Sequence, residues 1–174
     1  MNSREFFNSV ANGKSDFLQI FLSLLEKEAV GYCAIGGLAV NAYAEPVVSL
    51  DLDVVIAAER VGGLLSVFKS KYSVVEYPNS INVSDSSSDL RVQIQTDPRY
   101  QPFIKRASMR KVLGYDICVA AVEDVLQGKI WAALDGARRA SKRQKDLADI
   151  MRLIETKREL LPLLPEAIKK ELHL

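Results

Sequence analysis

Two carboxylates separated by one residue, Asp51 and Asp53, are the clearest chemical signal in the sequence. They lie in the segment 49–56, whose intervening residues are apolar, so the pattern predicts a β-strand with both acids on one face. A rise of about 3.3 Å per residue places their Cα atoms about 7 Å apart. Like charges this close oppose each other's ionisation, so a divalent cation between them is the simplest explanation. A solvated edge strand with alternating charges is the other interpretation that these residues leave open.

A glycine pair, Gly36 and Gly37, precedes the acidic strand. It follows the apolar segment 31–35, which predicts a buried strand, and it leads into a short helix predicted over residues 38–43. Glycines let the backbone approach a ligand closely, and a helix N-terminus offers free amides to phosphate. No Gly-x-Gly-x-x-Gly or Walker motif is present, so the pair alone is also compatible with a structural turn.

Composition restricts the function classes. The 174 residues are 48% hydrophobic and 26% charged, which is typical of one globular domain. The net charge of +1 gives no global attraction to nucleic acid or membrane, so such affinity must come from local patches. No signal peptide or membrane span is recognisable, so we expect a cytoplasmic protein. The only histidine, His173, lies one residue from the end, which argues against most histidine-based catalysis.

The remaining patterns predict an α/β (α+β) fold, in which a small mixed β-sheet is followed by a C-terminal helical hairpin. We expect residues 1–120 to form the α/β core with N-terminal helices, and residues 121–174 to form a helical region packed on it. Ser15 is the predicted N-cap of a helix that runs to about residue 29. A strand pair near 111–113 and 117–120 is predicted to turn at 114–116. Ser141 and Gln144 predict a capping box at the start of the last long helix.

Basic residues near the C-terminus offer two further candidate contacts. Lys129 falls on the apolar stripe of the predicted helix 122–134, where it either pairs with Asp146 and Asp149 or binds phosphate. Five cations follow within eight residues: Arg138, Arg139, Lys142, Arg143 and Lys145. They form either a solvated corner or a contact surface for the phosphate backbone of an RNA such as transfer RNA.

Taken together, the segments 36–40, 46–53, 122–129 and 145–150 resemble bacterial minimal nucleotidyltransferases of the DNA polymerase beta superfamily. The nearest type is the abortive-infection toxin of toxin–antitoxin pairs. The resemblance implies nucleotidyltransferase topology and three carboxylates that hold two Mg²⁺ ions. It also implies transfer of a nucleoside monophosphate from an NTP to an RNA or protein hydroxyl, and it suggests an antitoxin as a possible partner. On this resemblance, Asp51 and Asp53 are the metal ligands. The expected nucleotide contacts are Gly36, Gly37, Ser49, Lys129 and Lys145.

The third carboxylate of that pattern is expected on the predicted strand 90–95, where this chain has Gln93. Asp89 and Asp97 share a face with Gln93, and Asp89 is the candidate third catalytic acid. Each lies about 13 Å from Gln93 along an ideal strand, so a bulge or bend would be needed. Two hypotheses follow: a Mg²⁺-dependent transferase, or a degenerate relative that binds nucleotide or a partner without turnover.

Overall fold

Seven β-strands form one mixed sheet in the computed structural model, which describes residues 1–174. The strands are β1 (Tyr32–Ile35), β2 (Asp51–Ile56), β3 (Ser73–Tyr77), β4 (Ser80–Ser84), β5 (Arg91–Gln95), β6 (Ser108–Val112) and β7 (Tyr115–Val119). Their spatial order is β3-β4-β5-β2-β1-β7-β6. Strand β2 is parallel to β5 and β1 is parallel to β7, whereas the other neighbours are antiparallel. The predicted α/β class with a mixed sheet is confirmed.

Helices surround this sheet. They are α1 (Ser3–Val10), α2 (Phe17–Lys27), α3 (Gly36–Val40), α4 (Ala58–Lys71), α5 (Val122–Leu134), α6 (Ala140–Thr156) and α7 (Glu166–Leu172). Two 3₁₀ segments, Pro98–Arg106 and Arg158–Leu163, connect the regular elements. None of the helices has the length and apolar composition needed to cross a membrane.

Alternation along β2 fixes which of its faces carries the acids. Leu52, Val54 and Ile56 are almost fully buried, whereas Asp51 and Asp53 are partly exposed on the opposite face. A shift by one residue would bury the carboxylates and expose the leucine and valine, so burial determines the register. Strand β5 alternates in the same way, and three neighbouring strands therefore present polar side chains on one face.

The hydrophobic core is one cluster of 45 buried residues that extends from Phe7 to Ile168. Aromatic contacts join α2 to α4, where Phe21 stacks on Phe68 with ring centroids 5.6 Å apart. Helices α5 and α6 contact each other as a hairpin, and both also contact α3. This packing places the hairpin beside the ends of β1 and β2, next to the acidic pair.

Two predicted helix N-caps are misplaced, one by one residue and the other by two. Helix α2 is capped by Asp16, whose carboxylate accepts the Gln19 N–H, and not by Ser15. Helix α6 begins at Ala140, and its N-cap residue Arg139 forms no side-chain cap. The predicted capping box at Ser141 is therefore absent, because that residue already lies in the first helical turn.

The predicted turn between β6 and β7 is shorter than expected. Leu113 and Gly114 alone form it, with φ of 50° and 87°, and Tyr115 and Asp116 belong to β7. A two-residue turn with both φ values positive matches the twist of antiparallel strands. Tyr115 is therefore free to bury its ring against Phe7 of α1.

Candidate active site

A polar cleft lies between the sheet and the α5–α6 hairpin. Its volume is about 240 Å³, and its walls come from β1, β2, β4, β5, α5, α6 and the turns next to them. The lining residues are Ile35, Gly36, Asp51, Asp53, Asn82, Arg91, Gln93, Gln95, Tyr100, Gly128, Lys129, Ala132, Arg138, Lys142 and Asp146. Four of these are cations and three are acids, so the cleft carries a small positive excess.

Asp51 contacts two protein cations. An Arg91 guanidinium nitrogen lies 2.9 Å from its Oδ1, and Lys142 Nζ lies 3.6 Å from its Oδ2. Arg91 comes from the adjacent strand β5, where it is the register partner of Asp51, and Lys142 comes from α6. Neither cation is near Asp51 in sequence, so the strand pattern alone gave no sign of this partial neutralisation.

Asp53 packs directly over the backbone of Gly36. A Cβ added to Gly36 would lie 2.2 Å from Asp53 Oδ2, and Gly36 has a φ of +70°. Both the close approach and the left-handed conformation therefore require glycine. Gly37 is next to it at the start of α3, where Ser49 Oγ and Asp149 Oδ2 lie 3.8 and 3.7 Å from the equivalent Cβ position.

The change Gly36→Ala is expected to lower the free energy of unfolding by about 1–3 kcal/mol, because alanine disfavours this φ and its methyl group displaces Asp53. Urea denaturation measures the loss. Gly63→Ala in α4 is the matched control, since nothing lies within 4 Å of its added Cβ. That control is expected to stabilise the protein slightly, by up to about 1 kcal/mol. Equal stabilities for both variants would contradict the packing between Gly36 and Asp53.

Burial raises the pKa of Asp53 to about 6. The positive charge of Lys129 opposes this effect, the negative charge of Asp51 adds to it, and the charges of Arg138 and Lys142 lower the pKa by smaller amounts. Desolvation is thus the dominant effect, and the three cations only limit it. A carboxylate with this pKa is ionised at neutral pH at a cost in stability, which is typical of a site built for a ligand.

Stability without divalent cations is expected to fall as pH rises from about 4 to about 6. The native protein binds more protons than the unfolded chain in this window, because the pKa of Asp53 is raised in the native state. The loss is on the order of 1–3 kcal/mol, and Asp53→Asn is expected to remove it. Urea denaturation at pH 4.5 and 7.5 in EDTA, for both proteins, measures the difference. If the free energy of unfolding depends on pH equally in wild type and Asp53→Asn, the raised pKa of Asp53 is not the cause of the pH dependence.

Gln93 occupies the position where a third carboxylate was expected. It is the register partner of Asp53 on β5, so the two side chains leave neighbouring strands on the same face. The structure does not bring the alternative acids to this place. Asp89 is exposed beyond the start of β5, and Asp97 caps the following 3₁₀ segment, where it accepts the Arg99 N–H and binds its guanidinium.

Lys129 is held in a buried ion-pair network. Its Nζ lies 2.9 Å from Asp146 Oδ1 and 2.7 Å from Asp149 Oδ2, and its side chain is 9% exposed. Arg138 binds the other oxygen of Asp146, and Arg152 binds the other oxygen of Asp149. Burial lowers the pKa of Lys129, but the two carboxylates outweigh it and raise the pKa, so the lysine is cationic. Of the two roles left open by the sequence, the structural ion pair is present, and the lysine also reaches the cleft wall.

The five cations of residues 138–145 have different surroundings. Arg138 and Lys142 line the cleft, whereas Arg139 and Lys145 are exposed outside it. Arg143 pairs with Glu171 of α7 and donates through Nε to the Ala133 carbonyl, which ties down the end of α5. Lys142 and Asp146 share a face because they lie four residues apart on α6, whereas Arg138 lies before the helix begins and reaches Asp146 from the preceding loop.

Several lining residues were not identified from the sequence. Asn82 lies beyond Gln93 on β4, and its Oδ1 is buried without a hydrogen-bond partner. Tyr100 packs edge-on against Trp131 beside Gly128. Outside the cleft lining, Arg152 joins Asp149 to Asn41 and the Glu45 carbonyl, and so fixes the loop before β2. No local pattern distinguishes these residues, because strand pairing and helix packing bring them together.

The donor set fits one divalent cation. Magnesium is commonly bound by one or two carboxylates together with water and substrate phosphates, and Asp51 and Asp53 provide that pair. A cluster of three or more acidic, histidine or cysteine side chains able to hold a metal is absent. The residues present therefore fit a single Mg²⁺ accompanied by a nucleotide, and they do not fit the three-carboxylate arrangement that the resemblance implied.

Solved structures share this architecture. The lincosamide antibiotic adenylyltransferase LnuA, solved with lincomycin, has a TM-score of 0.57 at 14% identity over 82% of this chain and 99% of its own. The antibiotic-resistance factor ANT(2'')-Ia, solved with adenylyl-2''-tobramycin, has a TM-score of 0.62 at 14% identity over 89% and 96%. An antigenic nucleotidyltransferase-like protein from Paracoccidioides brasiliensis has a TM-score of 0.53 at 17% identity over 88% and 78%.

No protein-family model matches the sequence, and no curated protein matches it at a significant level. Identities of 14–17% establish the architecture and not the chemistry. The chain has the nucleotidyltransferase fold, as the glycine pair and the acidic strand had predicted.

Proposed function

We propose that this protein transfers a nucleoside monophosphate from a nucleoside triphosphate to a hydroxyl of an RNA. The observation that carries the proposal is the position of Asp51 and Asp53 in the cleft. They lie side by side on β2, over the glycine turn that begins α3, and cations surround them. This arrangement combines carboxylates for a divalent cation with positive charge for a triphosphate.

The reaction needs a hydroxyl oxygen to attack the α-phosphorus while the bond from that phosphorus to the β-phosphate oxygen breaks. Pyrophosphate leaves, and the hydroxyl proton passes to water. A bound Mg²⁺ would neutralise charge on the phosphates and polarise the reacting phosphoryl group. Asp51 and Asp53 would hold that ion, and Arg138 and Lys142 would attract and orient the triphosphate.

The charge of the cleft favours a polyanionic acceptor. Asp146 is paired with Lys129 and Arg138, and Arg91 and Lys142 both contact Asp51, so the four cations of the cleft exceed its three acids by one. Outside the cleft, Arg139 and Lys145 continue the positive surface. An acceptor rich in amines, such as the tobramycin bound by ANT(2'')-Ia, would meet like charge here.

Incubation with α-labelled nucleoside triphosphates, Mg²⁺ and total RNA is expected to label RNA, and incubation with tobramycin is expected to label no antibiotic. The double variant Arg139→Gln/Lys145→Gln is expected to lower the affinity for RNA about tenfold and to reduce the slope of log affinity against log salt by about one to two. Lys170→Gln, an exposed lysine on α7, is the control. An unchanged salt slope in the double variant would contradict RNA contact at this corner.

A second candidate is a protein that binds nucleotide without turnover, and the neutral Gln93 beside Asp53 favours it. Mg²⁺-dependent nucleotide binding without label transfer would support this candidate.

Transfer to RNA, in contrast, would modify the hydroxyl ends of the RNA. Such transfer fits the toxin-like role suggested by the sequence resemblance, with an antitoxin as the neutralising partner. Growth arrest on expression, relieved by Asp51→Asn, would support the toxin-like role.

A further inference from the structure

The acidic pair differs from a two-cation site in both its ligands and its charges. Two divalent ions bring four positive charges, and a pair of bridged ions needs carboxylates on both sides. Here the acidic pair is Asp51 and Asp53, and Gln93 provides a neutral amide at the next position of the same face. Asp146 also lines the cleft but is paired with Lys129 and Arg138, and Asp89 and Asp97 lie outside the cleft.

Protein cations already occupy part of the space around Asp51. Arg91 lies 2.9 Å from one carboxylate oxygen and Lys142 lies 3.6 Å from the other. Counted together, Asp51, Asp53, Arg91 and Lys142 have no net charge. A neutral site attracts a second free cation weakly, whereas a cation that arrives with a triphosphate brings its own counter-charge.

We propose that the cleft holds a single divalent cation with each bound nucleotide, and that Gln93 is the residue that prevents a second one from binding. The inference rests on the proposed function, because it assumes that a nucleoside triphosphate enters this cleft. It defines the site as a one-cation variant of the fold, in which Arg91 and Lys142 provide fixed positive charge beside Asp51.

The test counts bound ions, independently of activity. The protein is mixed with Mn²⁺ and the four α,β-methylene nucleoside triphosphates, which resist transfer, and the bound Mn²⁺ and nucleotide are quantified after ultrafiltration. The expected ratio of manganese to nucleotide is one for wild type and two for Gln93→Glu. Gln144→Glu is the matched control: it adds the same charge at an exposed position of α6 outside the cleft, and its expected ratio is one.

Circular dichroism checks that each variant is folded, and Gln93→Asp provides a second carboxylate at the same position. A ratio of two for wild type overturns the inference, as does a ratio that stays at one in both folded Gln93 variants. If no nucleotide is retained by any variant, the proposed function fails, and the inference fails with it. Retained nucleotide with a wild-type ratio of two leaves the proposed function intact and removes only the one-cation inference.

Discussion

Asp53→Asn is expected to lower the rate of nucleotidyl transfer at least about a thousandfold and, without divalent cations at pH 7.5, to raise the free energy of unfolding. The two effects have one origin. The pKa of Asp53 is raised to about 6 by burial, so its ionised form is unfavourable in the empty protein and is needed to hold a divalent cation. An amide of the same shape has no charge to desolvate, so it removes the loss of stability, and it also binds the divalent cation less well than the carboxylate does. Asp51→Asn is expected to lose activity to a similar extent.

Label transfer at saturating Mg²⁺ and urea denaturation in EDTA measure these two effects. Asp116→Asn is the matched control, because Asp116 is an exposed carboxylate on β7 that pairs with Lys111, and neither residue lines the cleft. It is expected to retain wild-type activity and stability within about 0.5 kcal/mol. Transfer that survives in both Asp51→Asn and Asp53→Asn would reject the acidic pair as the site of chemistry.

Lys129→Met is expected to reduce the free energy of unfolding by about 3–5 kcal/mol. Methionine fills a similar volume, but it leaves Asp146 and Asp149 buried with one cation fewer, and each carboxylate then retains a single arginine partner. Removing one member of a buried ion-pair network costs more than the network contributes, because the remaining charges stay desolvated. For a protein of ordinary stability this is a large part of the total.

Urea denaturation measures the loss, and Lys157→Met is its control, since Lys157 pairs with Glu159 at 3.7 Å near the surface. That control is expected to change stability by less than about 0.5 kcal/mol. The triple variant Lys129→Met/Asp146→Asn/Asp149→Asn is expected to recover part of the loss, because it removes the two desolvated carboxylates. A Lys129→Met protein as stable as wild type would show that the network is not buried in solution.

The same substitution has a second consequence in the cleft. The charge of Lys129 is the largest influence that lowers the pKa of Asp53, so its removal is expected to raise that pKa further. The acid limb of the pH–rate profile for label transfer then moves to higher pH. A purely structural lysine would lower stability without moving this limb, so the pH profile distinguishes the two roles.

Much of the fold could be predicted because its signals are local. The alternation along β2 and the uninterrupted helical pattern of Val122–Leu134 each follow from side chains on one element. The errors occur at element ends, at Ser15 and Ser141, where the side-chain pattern defines a boundary least sharply. They shift the N-caps by one or two residues and leave the architecture unchanged.

The candidate site could be predicted only in part. The sequence identified Asp51 and Asp53, because residues two apart on a strand share a face. It also identified Gly36, because a glycine pair between a strand and a helix is recognisable within one short segment. Asn82, Tyr100 and Arg152 were not identified, since each reaches its position through packing between elements distant in sequence.

The sequence by itself determined that Asp51 and Asp53 share one face of a strand, because the two-residue period and the burial of Leu52 and Val54 allow no other register. Only the tertiary structure decided what surrounds them. The parallel pairing of β2 with β5 puts Arg91 beside Asp51 and Gln93 beside Asp53, and the packing of α6 adds Lys142. Neighbours across strands depend on the register between distant segments, which no period within one strand encodes. For that physical reason, the acidic pair was visible in the sequence, and the charges that compete for it were not.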